Sequence, residues 1–325
     1  MLFEAKPVPA DFLACRRQIP LGCDEPLTFL DIETTGLNRR RDPIMLIGLM
    51  ILTASGGMLH QFFAQSPDEE HRLLDALQQH LPQTGLLVTF NGQSFDIPYL
   101  NQRYEVHGFT TRLMAERNLD LLHWARKAMP HLPNHRLKSI ETQLGIVRAD
   151  TLSGADCVSD YATYLRTQDP ALAEKICLHN FEDILHMAPL LALYTLLPEG
   201  SPHRQLPFSL TLEGTRFWCG GPSQLRGQIS LKASAQMPAP HRQDRHLGSA
   251  TLTVAGRSLA AVLPVIAFPY PEPDSLYLDC DRVPGFRPGP FNSLPTPEKL
   301  ALMVRRGIQW LPEALEALLG QLLEI

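Results

Sequence analysis

Paired cysteines are missing from this sequence: the six residues, Cys15, Cys23, Cys157, Cys177, Cys219 and Cys280, include no Cys-x-x-Cys. That argues against a zinc site and fits reduced thiols. Long apolar runs are also missing. The longest, around Ile44 to Leu52, is well short of the roughly 20 residues of a membrane span and suits a buried central strand. The opening MLFEAKPVPADF has neither the basic start nor the apolar core of a secretion signal, so a cytoplasmic location and no membrane contact are expected. There is no internal repeat and no low-complexity tract. Positive charge is in short supply: 29 Lys+Arg stand against 34 Asp+Glu, for a net charge of −5. Residues 1–200 carry 17 basic against 24 acidic side chains, and residues 201–325 carry 12 against 10. Acids gathered to hold metal would lower the total, so its sign alone does not exclude a polyanionic partner.

What is present is a soluble composition, 44% hydrophobic and 19% charged over 325 residues, with length for one large domain or two ordinary ones. The chain is organised around Leu27 to Leu37, LTFLDIETTGL. An apolar run climbs to Asp31 and Glu33, two residues apart, and ends in the turn residues Thr34-Thr35-Gly36. Strand side chains alternate, so the two carboxylates share a face with Leu27 and Phe29. Like charges on an apolar face are costly unless a cation neutralises them.

Residues 1–26 hold Pro7, Pro9, Pro20 and Pro26 and read as an irregular lead-in. After the first strand comes the loop Asn38-Arg39-Arg40-Arg41-Asp42-Pro43, either a solvated turn or a phosphate contact. Ile44–Leu52 and Met58–Phe63 complete an antiparallel three-strand meander. Ser66-Pro67-Asp68-Glu69 starts a helix that stops at Pro82, with Ser66 as its cap. Leu86–Phe90 follows that crossover, so it should lie parallel to the first strand. Asp96 then opens a helix, where a carboxylate is an ordinary first-turn residue. A later helix starts at Asp169-Pro170 and contains His179 and Asp183, one turn apart on a face shared with Ile176, Met187 and Leu190; Glu182 falls outside that stripe. Taken alone, that pair reads equally well as a self-satisfied ion pair.

After Gly200 the composition shifts. Residues 201–300 hold 14 of the 28 prolines and suggest short strands at Phe208–Leu212, Gln228–Lys232, Ala250–Val254 and Ser275–Leu278. Helices are expected near Pro297–Arg306 and Pro312–Leu323, and His241 to His246 should be an exposed loop. The expected organisation is a lead-in (1–26), a main domain (27–198) and a smaller β-rich unit (199–325).

Four carboxylates meeting in one pocket would bind two hard cations, Mg²⁺ or Mn²⁺, which favour oxygen ligands. Two such ions roughly 4 Å apart can clamp the attacking and leaving oxygens of a phosphoryl displacement. A histidine beside them could take the proton of the attacking water.

At this point the residues resemble a family. Phe29-Leu30-Asp31-Ile32-Glu33-Thr34-Thr35-Gly36 is similar to the first motif of the DEDD exonucleases, members of the ribonuclease H-like superfamily. Phe90-Asn91-Gly92-Gln93-Ser94-Phe95-Asp96 resembles their second motif, and His179-Asn180-Phe181-Glu182-Asp183 their third. The histidine subgroup leaves four residues between His and Asp and the tyrosine subgroup three; here a histidine stands at the spacing of three. That combination looks like a branch of bacterial exonucleases often associated with helicases. The resemblance covers about residues 25–197.

The resemblance implies an α/β fold, a ribonuclease H-like mixed sheet flanked by helices, with a smaller β-rich α+β C-terminal unit. It implies two-metal 3′–5′ exonuclease activity on single-stranded DNA or RNA, and a helicase as a possible partner. Asp31, Glu33, Asp96 and Asp183 would be the metal ligands and His179 the general base. Thr34, Thr35, Gly36, Leu37 and Asn91 would contact substrate. Two alternatives stand beside it: a non-catalytic nucleic-acid-binding or scaffold module, and a related endonuclease or resolvase, which a circular substrate would distinguish.

Overall fold

The computed structural model describes residues 1–21, 25–267, 275–284, 286, 302–306 and 309–324. The chain divides into two compact units, residues 1–113 with 118–197, and residues 114–117 with 198–325. No helix among the described residues is long and apolar enough to cross a membrane.

The first unit is built on a mixed sheet with strand order β1-β4-β3-β2-β5-β6. Its strands are β1 (Leu2–Pro7), β2 (Leu27–Thr34), β3 (Ile44–Leu52), β4 (Gly57–Phe63), β5 (Leu86–Thr89) and β6 (Asn118–Asp120). The expected meander is β2-β3-β4, antiparallel throughout, and β5 runs parallel to β2. The lead-in was read as irregular, but Leu2–Pro7 pairs antiparallel with β4 as an edge strand. All six of its residues are exposed. Backbone pairing with β4 and the stacking of Phe3 on Phe62, centroids 5.3 Å apart, hold it there, and neither requires an alternating buried pattern.

Helices flank the sheet: α1 (Ala10–Ala14), α2 (Glu70–His80), α3 (Asp96–Val106), α4 (Leu121–Ala128), α5 (Leu137–Gln143), α6 (Gly154–Thr167), α7 (Pro170–Met187) and the short α8 (Leu193–Leu196). The α2 start differs from expectation: Ser66 makes no side-chain cap and a 3-10 turn, Pro67–Glu69, precedes the helix. Glu69 reaches back instead to the Gln65 N–H at 2.8 Å. Beneath α6 and α7 lies an apolar layer of Met45, Leu46, Phe63, Tyr161, Tyr164 and Ile176.

Helix α7 approaches β3 closely at Gly48. A Cβ there would lie 1.9 Å from Ile184 Cδ1 and 2.2 Å from Asn180 Oδ1. Only glycine lets the helix sit this near the strand. Gly48 also pairs with Asp31 on one side and Gln61 on the other, so the helix is seated across the row that carries the first acid.

The second unit is an antiparallel sheet: β7 (Phe208–Leu212), β8 (Thr215–Cys219), β9 (Ser223–Leu225), β10 (Gln228–Ala235), β11 (Gln243–Leu247), β12 (Ala250–Ala255), β13 (Ser258–Ala267), β14 (Leu276–Leu278), β15 (Met303–Arg306) and β16 (Gln309–Trp310). Helix α9 (Pro312–Glu324) covers it through Leu315, Leu318, Leu319 and Leu322. Two expectations fail here. Residues 303–306 are strand β15 rather than the end of a helix; the rest of that expected helix, 297–301, lies outside the described residues. The stretch 241–246 is not all loop, because Gln243–Leu247 pairs with β12; its polar side chains face water, as an edge strand allows.

Candidate active site

Asp31 and Glu33 lie near the end of β2, beyond the last β5 pairing at Phe29–Val88. The Ile32 N–H between them therefore has no strand partner on that side, and the Asp96 carboxylate accepts it at 3.1 Å. Asp96 sits in the first turn of α3 and is thereby tied to the first motif. Asn91, ahead of it, is exposed with a left-handed φ of 66°, a conformation Asn tolerates better than most residues. Its N–H donates to Asp120 Oδ1 at 2.8 Å, and the Gln93 N–H to Asp120 Oδ2 at 3.1 Å. Asp120 thus clamps the turn between β5 and α3.

Helix α7 supplies the third motif. Asn180 Nδ2 donates to Asp31 Oδ2 at 2.8 Å, and Gln61 Nε2 donates to Asn180 Oδ1 at 2.9 Å. Gln61 also reaches the Cys177 carbonyl at 2.9 Å. A neutral amide relay thus fixes one oxygen of Asp31. Asp31, Glu33 and Asp183 each place a carboxylate oxygen within 4.8 Å of the others.

His179 is buried, with Nδ1 2.8 Å from Asp150 Oδ2. Its Nε2 lies 3.7 Å from Glu33 Oε1 and 3.7 Å from Asp183 Oδ2, too far for a hydrogen bond to either. In the tautomer whose Nδ1–H donates to Asp150, Nε2 is the acceptor atom that faces the acids. The isolated His–Asp ion pair is therefore not the arrangement found; the histidine's partner is Asp150, 29 residues away.

Electrostatics separate these carboxylates. Burial, then the charges of Asp96, Glu33 and Asp183, push Asp31 well above the usual carboxylate range, against the Asn180 hydrogen bond. Burial and the charges of Asp183, Asp96 and Asp150 do the same to Glu33. Asp96 is lifted to about 7, mainly by burial, although its own N–H and that of Ile32 oppose the rise. Burial also disfavours the charge on Asp150, but hydrogen bonds from His179, the Leu152 N–H and Lys138 outweigh it and hold that carboxyl below its usual range. The three clustered oxygens fit a hard divalent cation, the chemistry that relieves their mutual repulsion. Cys157 also approaches Glu33 and His179, but burial pushes its thiol up, so it is a neutral neighbour rather than a thiolate ligand.

A second group of residues lies outside the candidate positions named from the three motifs. Glu182, outside the apolar stripe, is nonetheless buried and accepts from the Ala149 and Asp150 N–H groups at 3.0 and 2.8 Å. Lys138 Nζ meets Asp150 Oδ2 at 3.1 Å. Arg148 contacts Asp183 Oδ1 and lies 3.2 Å from Glu141 Oε2. Their grouping arises because a loop after α5 folds back onto α7.

The loop after β2 is held from below. Thr34 Oγ1 donates to the Gly36 carbonyl at 2.8 Å and Thr35 Oγ1 to Pro43 at 3.2 Å. Tyr99 of α3 donates to Gly36 and Asp42 carbonyls at 3.0 and 2.8 Å. Arg103 binds the Arg40 carbonyl at 2.7 Å while pairing with buried Glu70. The loop's tip, Leu37, is 83% exposed.

Residues 28–195 match the model of the RNase H superfamily. An uncharacterised protein, YprB of Bacillus subtilis, is 29% identical over 168 residues, covering 50% of this chain and 40% of its own length; the chain thus spans well under half of that relative. Among solved structures the chain is similar to the family B DNA polymerase of the archaeon Pyrobaculum calidifontis, at 14% identity and TM-score 0.41 over 70% of this chain and 34% of that one. It is also similar to product-bound exonuclease I, at 13% identity and TM-score 0.32 over 65% and 58%. With the family model covering more than half of the chain, from β2 into α8, this protein belongs to the RNase H superfamily.

Proposed function

We propose that the protein is a metal-dependent 3′–5′ exonuclease that hydrolyses phosphodiester bonds of single-stranded DNA or RNA. One observation carries the reading: three carboxylate oxygens within 4.8 Å of one another face the His179 Nε2, 3.7 Å from two of those acids. A lone acid cluster would serve a binding role equally well; a cluster with a base held by Asp150 suits hydrolysis. Asp31, Glu33, Asp96 and Asp183 would hold two Mg²⁺ or Mn²⁺ ions, which when bound supply charge stabilisation for the attacking and leaving oxygens.

His179 takes the proton of the attacking water at Nε2, and Asp150 at Nδ1 keeps the ring turned and steadies the charge it gains. The Asn180–Gln61 relay keeps Asp31 from rotating. Leu37, exposed at the tip of a loop anchored by Tyr99 and Arg103, offers an apolar surface to a terminal base. Thr34, Thr35, Gly36 and Asn91 are the further substrate contacts that the likeness to the DEDD motifs suggests. The direction of attack and the preference for single strands come from the likeness of the three motifs to the DEDD exonucleases.

The test is digestion of 3′- and 5′-labelled single strands, DNA and RNA in parallel, with Mn²⁺ or Mg²⁺. Stepwise shortening from the 3′ end, abolished in Asp31→Ala and by chelator, with circular strands left intact, is the expected outcome. Cleavage of circles would make the protein an endonuclease. No turnover on any strand, with the fold intact, would make it a binding module.

A further inference from the structure

Apart from the acids, the first unit holds a groove of about 830 Å³ between strand β1 and helices α6 and α7. Leu2 and Glu4 of β1 line one side, Gln61 and Phe63 of β4 the base, and Tyr164 and Glu174 the helical side. None of Asp31, Glu33, Asp96 or Asp183 borders it.

The β1 side of the groove is a sheet edge. Among the described residues β4 is its one strand neighbour, and all six of its residues are exposed. The Val8 N–H donates to the Gly57 carbonyl at 3.0 Å, and Leu2, Glu4 and Lys6 stand in phase with Val8 along the strand. In an antiparallel ladder such residues turn both backbone groups toward the partner strand, and those between them turn both away. The N–H and C=O of Phe3 and Ala5 therefore point out from the sheet. Pro7, which has no N–H, ends that row of donors. Leu2, Glu4 and Lys6 share the face that borders the groove.

Two polar groups in the groove are left without a complement. Gln61 is 3% exposed; its Nε2 serves Asn180 and the Cys177 carbonyl, and no donor among the described residues meets its Oε1. Glu174 is exposed and faces no cation among the described residues. Glu4 already takes Lys6 at 2.9 Å, and Lys6 lies over the Phe181 ring. The groove is also graded along its length. Leu2 stands opposite Phe63, against which Tyr164 packs edge-on, so this end is apolar. Glu4 stands opposite Gln61, and Glu174 lies one helical turn before Cys177, so the next position is acidic and rich in acceptors.

We propose that this groove docks an extended peptide of a partner protein, which pairs with the free edge of β1 as a seventh strand. One large apolar side chain would sit against Leu2 and Phe63, and a basic one, two residues away, against Glu4 and Glu174. Strand addition of this kind draws affinity from main-chain hydrogen bonds and specificity from alternate side chains. The spacing of two follows from the strand period that β1 itself obeys. The basic group brings the positive charge that Glu174 lacks and a donor for Gln61 Oε1.

The test is titration of the isotope-labelled full chain with a blocked synthetic peptide, Thr-Lys-Thr-Phe-Thr-Lys-Thr, whose palindromic order serves either strand direction. Saturable amide shifts in β1, β4 and the first half of α7 are expected, with slowed hydrogen exchange at Phe3 and Ala5. Replacing both peptide lysines by glutamate should weaken binding by about 10-fold or more. Glu174→Lys, a change at an exposed position, should weaken the basic peptide by about 3- to 10-fold and tighten the acidic one. A peptide N-methylated throughout keeps its side chains but loses its donors, and should not bind. The proposal is overturned by no saturation below about 1 mM peptide, by equal affinity for the basic and acidic peptides, or by undiminished binding of the methylated one. Exchange at Phe3 and Ala5 that slows with protein concentration alone would give the edge to a second copy of this chain, and would overturn it as well.

Discussion

Single side chains set the energetics of the acid cluster, because each carboxylate is judged by how much water and positive charge it keeps. Asp96 shows the consequence for pH. Its folded-state value of about 7 exceeds the unfolded value of roughly 3.9, so between those limits the folded protein holds more protons than the unfolded chain. Stability contributed at this position is greatest below about pH 4 and falls as pH rises toward 7. Asn can still accept the Ile32 N–H but has no charge to acquire. In chelator, Asp96→Asn should therefore gain on wild type in melting temperature across that window and then run level with it; a pH-independent offset would contradict the assignment. His179 and Asp150 form a second unit. His179→Ala should lower kcat by about 10²–10⁴-fold, and Asp150→Asn by about 10–100-fold, with KM little changed in both. If Asp150 acts through the ring, the double variant is no slower than His179→Ala, a non-additivity that steady-state kinetics would reveal.

Elements matter where they approach each other. Helix α7 rests on β3 through Gly48, with Ile184 and Asn180 filling the space a Cβ would need. Gly48→Ala should push the helix outward, costing about 1–3 kcal/mol and loosening the Asn180–Asp31 hydrogen bond. A lower urea midpoint with unchanged slope, together with weaker Mn²⁺ uptake, is expected; a wild-type midpoint would show that the side chains yield without strain. The same contact shows what could be read in advance. The 3.6-residue period placed His179 and Asp183 on one face, and the strand period placed Asp31 and Glu33 on another. Neither period reports that a glycine across the sheet lets the two faces meet. Glu182 was read outside the apolar stripe, as its helical angle dictates, yet it is buried because the 149–150 backbone covers that side of α7.

For the molecule as a whole, two units with separate cores mean that ligand linkage should be local. Mn²⁺ at 100 times its dissociation constant stabilises the state that binds it by about 2.7 kcal/mol. Hydrogen exchange should show the added protection in residues 1–113 and 118–197, the unit that carries the acids, and none in Asp31→Asn. Protection gained mainly in 198–325 would relocate the metal.

The sequence by itself determined strands β2 to β5, the helices that carry Asp96 and His179, the pairing of acids on β2, and the stacking of His179 with Asp183. These follow from local periodicity and from short turns that leave neighbouring strands few ways to pair. Only the tertiary structure decided that β1 joins the sheet, that Asp150 rather than Asp183 holds the histidine, and that Gln61 steadies Asn180. It alone brought Arg148 to Asp183. Those contacts join residues 29 to 119 positions apart in the chain. No window of neighbouring residues encodes them, because they arise where the loop after α5 and the edge of the sheet close around one helix.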